Sequence, residues 1–113
     1  MRRRAPTKRR RRRRPTHRQR IVRWLKDRLD DEHDGLLLAD GFEAAFVGCA
    51  QQFTRPPVAV YDRGECIKTL MIRDGMSYEG AEEFFQFKVE GAWVGERTPM
   101  FLVTMNQDPT EYA

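Results

Sequence analysis

Asp62 is the residue whose surroundings most invite chemistry. It closes the apolar run "VAVYD", and the carboxyl end of a strand is where α/β sheets often place functional groups. With Asp40, Glu43 or Glu65 it would make the small, oxygen-rich site that magnesium takes. Asp62 followed by Arg63-Gly64 is also an ordinary turn, and its carboxylate suits the N-cap of a following helix, so capping is the expected role. "ECIK" sets Glu65 and Lys68 one residue further apart than the carboxylate and lysine of nucleases, with no supporting acidic motif. Nucleophilic catalysis by Cys49 or Cys66 would need a histidine partner. His17 and His33 are the only two, both in or near the basic N-terminal segment, and His33 sits in "DDEHDG", which reads as a solvated turn. No G-x-x-x-x-G-K-[ST], G-x-S-x-G or H-E-x-x-H pattern occurs. Two cysteines in apolar surroundings make neither a disulfide framework nor a zinc site. The residues therefore predict no enzyme, no metal site and no cofactor.

The strongest chemistry in the chain is charge. Ten of the first fourteen residues, "MRRRAPTKRRRRRR", are lysine or arginine. Residues 1–28 hold 15 of the 21 basic residues and one acid, a net +14, whereas residues 29–113 hold 6 bases and 16 acids, a net −10. A guanidinium fork matches phosphate oxygens, and a dense run of them releases the counterions condensed on nucleic acid. Arg9, Arg10, Arg11, Arg12, Arg13 and Arg14 would supply most of the attraction, with Arg18, Arg20 and Arg23 extending it. His17 and Lys26 lie on the same segment, and Trp24 is available to stack on an unpaired base. Such contacts position a protein on nucleic acid without specifying sequence. Two other accounts stand beside this one: the block folds back on the −10 body, or it is arginine-rich coding sequence ahead of the true start.

The elements that would hold these groups follow from pattern. Residues 1–15 bury nothing and carry Pro6 and Pro15, which predicts a disordered arm. Residues 16–34 place Ile21, Leu25 and Leu29 on one side of a helix, with Thr16 as N-cap and Gly35 beyond its end. Bases crowd its first turns and acids follow its last, against the macrodipole, so it needs a partner, either the body or a polyanion. Residues 35–105 form the body. In "GLLLADGFEAAFVGCAQQF", Phe42, Phe46, Cys49 and Phe53 fit a helical stripe, yet "AAFVGCA" also fits a buried strand. "TRPPVAVYD" is the clearest strand. A helix over "RGECIKTLMIRDG" faces inward with Ile67, Leu70 and Met71 and ends at Gly75. A second, over "SYEGAEEFFQFKVEGAW", is capped by Ser77 and faces inward with Ala81, Phe84, Phe85 and Lys88 or Val89. "TPMFLV" is a last strand, and residues 106–113 are a polar tail. The two helices flank "RDGMS" like a helix-turn-helix, but Glu79, Glu82 and Glu83 stand where a DNA-reading helix needs bases or amides.

The stretches "ADGFEAAFVG", "VAVYD", "RDGMSYEGAEE" and "GAWVGERTP", together covering Asp40 to Phe101, resemble a family of small phage and prophage proteins of uncharacterised function. The resemblance implies that "AAFVGCA" is a strand and that the body is a small α/β unit from a phage, prophage or similar mobile element. It supplies no reaction. The arginine arm lies outside it, and Gly80 departs from it at a helix position where a stronger helix former is expected.

The sequence thus predicts a small single α/β (α+β) domain with a short sheet and an α-hairpin, preceded by a disordered basic arm and a short helix. The expected function is that of a non-enzymatic phage-type accessory protein whose arm binds nucleic acid, DNA or RNA, non-specifically. The alternative is an acidic protein-interaction module acting on a host factor. No run of about 20 apolar residues occurs, and no apolar stretch follows the basic N-terminus as in a secretory signal, so the expected location is the host cytoplasm. "GAWVGERTP" leaves open whether Trp93 packs on the sheet or marks a binding surface.

Overall fold

The computed structural model describes residues 14–29 and 35–105. In order, the chain forms helix α1 (His17–Leu29), a 3-10 turn (Glu43–Ala45), strands β1 (Phe46–Gln52) and β2 (Arg55–Asp62), helices α2 (Arg63–Asp74) and α3 (Tyr78–Phe84), a π-helical continuation (Phe85–Glu90) and strand β3 (Met100–Leu102). The sheet order is β1-β2-β3, antiparallel then parallel. This is a small α+β domain in which an α-hairpin carries the chain from β2 to its parallel neighbour β3. Of the disordered arm expected over residues 1–15, residues 1–13 lie outside the described residues, as do the stretch 30–34 and the polar tail from residue 106.

Each helix begins at a side-chain cap. The Thr16 hydroxyl accepts from the Gln19 N–H at 3.1 Å, and the Gln19 side chain accepts from the Thr16 N–H at 2.9 Å. This reciprocal capping box satisfies donors that α1 would otherwise leave open. The Asp62 carboxylate accepts from the Glu65 N–H at 3.0 Å and so starts α2 directly from the end of β2. Gly75, at φ 69°, ends α2 in the left-handed region, as expected of a glycine there. Ser77 then caps α3, accepting from the Gly80 N–H at 3.1 Å.

The resemblance and the helical stripe disagreed about residues 46–52, and the chain there is a strand. Phe46 pairs with Tyr61 but Gly48 pairs with Val60, so Val47 is a bulge residue on β1. A bulge breaks the strict alternation of faces. It sends Phe46 to the helix-covered face and Gly48 to the opposite one. Phe53, the last member of the apparent stripe, is fully exposed at the hairpin tip.

Ala59 and Tyr61 of β2, Cys66, Ile67 and Leu70 of α2, and Ala81 and Phe85 of the second helix form the core together with Phe42 and Ala45. The inner face expected of the second helix needs correction. Ala81 and Phe85 are buried and Val89 is half-buried, whereas Phe84 is 40 % exposed and Lys88 is exposed. For Lys88 the cause is the π turn, in which the Gly91 N–H donates five residues back to the Gln86 carbonyl at 2.9 Å. A wider turn rotates less per residue, so Val89 stays in line with Phe85 while Lys88 swings outward; Phe84, the last residue of α3, lies beside that line. A Cβ at Gly91 would stand 2.9 Å from that same carbonyl oxygen, which fixes glycine there.

The ring pairs join into one chain. Trp24 meets Phe46 at 6.1 Å, Phe46 meets Tyr61 at 5.5 Å, Tyr61 meets Phe101 at 5.9 Å, Phe101 meets Phe85 at 4.9 Å, and Phe85 meets Phe42 at 5.8 Å. Most are edge-to-face, the favoured geometry. At its centre the buried Tyr61 hydroxyl accepts from the Ala39 N–H at 2.8 Å. Phe85→Ala is expected to cost about 3–5 kcal/mol by opening a cavity at the joint. Tyr61→Phe is expected to cost about 1–3 kcal/mol by leaving the Ala39 amide without its acceptor. Urea titrations of the two variants and the parent check both values.

Candidate nucleic-acid interface

Of the predicted phosphate-binding residues, Arg9 to Arg13 lie outside the described residues, and Arg14 is exposed three residues ahead of α1. Arg18, Arg20 and Arg23 all lie on α1. Ile21 and Leu25 are 5 % and 2 % exposed, so the apolar edge of α1 is docked on the body. That answers which partner the helix needs, and it turns Arg20 and Arg23 to solvent. Arg18 is placed differently. Its guanidinium pairs with the Asp40 carboxylate, both groups being largely exposed. An exposed pair of this kind contributes at most about 1 kcal/mol, so phosphate can compete for Arg18.

Trp24 stands where α1 crosses the edge of β1. Its ring meets Phe46 edge-on and lies 3.7 Å from where a Gly48 Cβ would sit. The Arg28 guanidinium, one turn on, lies over the ring at 5.4 Å. Toward the start of the helix, Trp24 borders a shallow cavity of about 290 Å³ together with His17, Arg20, Ile21, Phe46 and Val47. The bulge is what brings Val47 to this rim, where it is 55 % exposed.

Of the four carboxylates considered for magnesium, Glu65 is exposed and the other three are otherwise engaged. Asp62 caps α2, Asp40 pairs with Arg18, and Glu43 accepts from the Gly41 N–H at 3.2 Å. Among the described residues no three His, Cys, Asp or Glu side chains converge to hold a metal. In the α-hairpin, Glu79 and Glu83 are exposed, while Arg63 bridges Glu90 at 2.9 Å and Glu82 at 3.8 Å and covers the Phe85 ring at 5.5 Å. The acids thus face solvent or clamp the hairpin, and they would repel phosphate there.

Sequence reasoning left Trp93 open, and it is 75 % exposed. It borders a cavity of about 330 Å³ with Ala50, Pro56, Val58, Glu96 and Met100. Val94, Met100, Leu102 and Val103 are exposed as well, and of these Met100 borders the same cavity. The available signal was "GAWVGERTP" itself, a tryptophan in a segment too glycine-rich to be a helix interior.

No protein-family model, curated protein or solved structure matches this chain. Among the described residues no helix is long and apolar enough to cross a membrane.

The cysteines differ in environment. Cys66 is buried, and burial, reinforced by the Asp62 charge, pushes its thiol up to about 12 from 9.0. Burial likewise raises the Tyr61 hydroxyl. Cys49 is half-buried. At neutral pH a thiol reagent is expected to modify Cys49 first and Cys66 only after unfolding, which mass spectrometry with and without urea would show. Both raised groups keep their protons in the native state after the unfolded chain has released them. Their contribution is therefore complete below pH 9.0 and declines toward pH 12, by up to about 1.4 kcal/mol per pH unit from Cys66. Urea midpoints measured across that alkaline range are expected to fall accordingly.

Proposed function

We propose that this protein is a small, non-enzymatic accessory protein of phage type that binds nucleic acid through phosphate, in the cytoplasm of the host cell. Arg9 to Arg14 anchor the strand, and Arg20 and Arg23 of α1 continue the contact, with Arg18 exchanging Asp40 for phosphate. The observation that carries this reading is the +14 charge of residues 1–28 leading into a helix that buries its apolar edge and leaves Arg20 and Arg23 exposed. The phage origin rests on the resemblance across residues 40–101.

The test keeps α1 in place, because removing it would uncover the surface against which Ile21 and Leu25 are buried. The full chain is compared with one in which Arg9 to Arg14 are replaced by serine, on a labelled duplex across salt. If about 8 phosphates are neutralised, the parent's log–log slope is about −7, and removing six cations brings it to about −2. Equal binding by both proteins, with equal slopes, would remove the arm from the interface.

A second reading is favoured by one observation, the exposed apolar surface around Trp93 and Met100. Surfaces of this kind mark protein contacts, and the −10 body would then be the module that engages a host factor. Capture of one host protein that survives replacement of Arg9 to Arg14 but is lost in Trp93→Ser/Met100→Ser would favour it.

A further inference from the structure

We infer that the cavity beside Trp24 is a slot for one unpaired base, so that the chain prefers single-stranded nucleic acid to duplex. This rests on the phosphate-binding reading and adds a second contact to it. Four observations lead there. The cavity is walled by an indole ring, by Phe46 and by the aliphatic Ile21 and Val47, which suits the face of a planar base. Its rim carries Arg20 and His17, donors suited to a base edge or a phosphate. Its volume of about 290 Å³ lies just below the range of small-ligand clefts, and it is shallow and open to solvent, so it offers a surface for one ring face without enclosing it. Finally, the six-arginine run ends three residues before His17, and at roughly 3.5 Å per residue even Arg9 stays within about 28 Å of the helix. A strand held by that run is therefore presented to the slot.

Duplex cannot use such a site without extruding a base, whereas a single strand offers its bases already unpaired. Arg28 over the Trp24 ring does not line the cavity. The indole lies against β1, its tip 3.7 Å from where a Gly48 Cβ would stand, an ordinary van der Waals contact.

The experiment uses the full chain carrying Trp93→Phe, which leaves Trp24 as the sole tryptophan. It is titrated with a short DNA strand, the matching RNA strand and the DNA duplex. Quenching of Trp24 emission by either single strand is expected, with the two strands showing whether the sugar matters. Trp24→Leu, made in the parent chain and followed by anisotropy of labelled strands, is expected to weaken single-strand binding roughly 5- to 100-fold while leaving duplex affinity within about twofold, since phosphate contacts carry it. Trp24→Phe restores most of the loss. Because Trp24 also packs on Phe46, Val47→Gln, which alters the rim while leaving both aromatic residues in the chain, provides the control, and the same selective loss is expected. If Trp24→Leu and Val47→Gln keep the parent's ratio of single-strand to duplex affinity while binding stays salt-dependent, the slot is overturned and phosphate binding stands. If serine replacement of Arg9 to Arg14 abolishes duplex binding but leaves Trp24-dependent single-strand binding, the slot stands alone. If the parent binds neither form, both readings fall.

Discussion

The structure depends on Tyr61. Its ring is fully buried between Phe46 and Phe101, so that all three strands meet on it, and its hydroxyl ties down Ala39 in the segment that enters the sheet. From Phe101 the contacts run on through Phe85 to Phe42, joining the second helix and the 3-10 turn to the same line. From Phe46 they run to Trp24 and hence to α1. A domain of this size buries a modest share of its surface, and a continuous line of large rings lets few side chains hold every element. The bulge at Val47 belongs to this arrangement. Without it Phe46 and Gly48 would share a face.

The two ends of that line have opposite electrostatic surroundings. At the hairpin end, Arg63 and Arg73 are each committed to acids and to a ring: Arg63 to Glu82, Glu90 and Phe85, and Arg73 to Asp74 and Phe42. Arg73 also donates to the Gly41 carbonyl at 2.8 Å. At the α1 end the cations outnumber the acids, and among the described residues neither Arg20 nor Arg23 has an ion pair. Crowding of bases in the first turns opposes the helix dipole. The capping box of Thr16 and Gln19, and the burial of Ile21 and Leu25, hold the helix against that cost. A helix kept in place by packing is free to present charge that its own propensity would disfavour.

Much of the fold could be read from local signals because those signals are local. Thr16, Asp62, Gly75 and Ser77 act within three or four residues of their positions, and each does in the structure what its type suggests. "VAVYD" is a strand because β-branched and aromatic residues leave little alternative. Less legible was anything that depends on distant partners. The period of Phe42, Phe46 and Cys49 is compatible with either secondary structure, and the bulge that explains it exists only relative to β2. The outward turn of Lys88 comes from a π turn closed at Gly91, for which the sequence offers a glycine but no register. Of the candidate interface, the charge was plain from composition, whereas the slot needed Val47 and Phe46 beside a helix some twenty residues earlier.

The exposure around Trp93 follows from topology. In a sheet of three strands, residues paired across strands share a face, so Ala59, Tyr61 and Phe101 point to the α-hairpin while Val58, Val60, Met100 and Leu102 point away. The hairpin between β2 and β3 can cover one side only. The opposite side is left to the segment between Gly91 and Pro99, in which Trp93 and Thr98 border a cavity against Val58 and Met100 and do not fill it. Within that segment the Thr98 hydroxyl accepts from the Val94 N–H and donates to the Gly95 carbonyl, so the loop is held by its own hydrogen bonds and little by packing. A loop so held can keep a large ring at the surface, since its conformation does not require the indole to be buried. The apolar surface there is thus a consequence of one crossover covering one face, while the cationic surface at α1 is a consequence of charge placed on a helix that packing alone secures. The two lie on different elements and obey different forces, one short-ranged and not screened by salt, the other long-ranged and weakened by it.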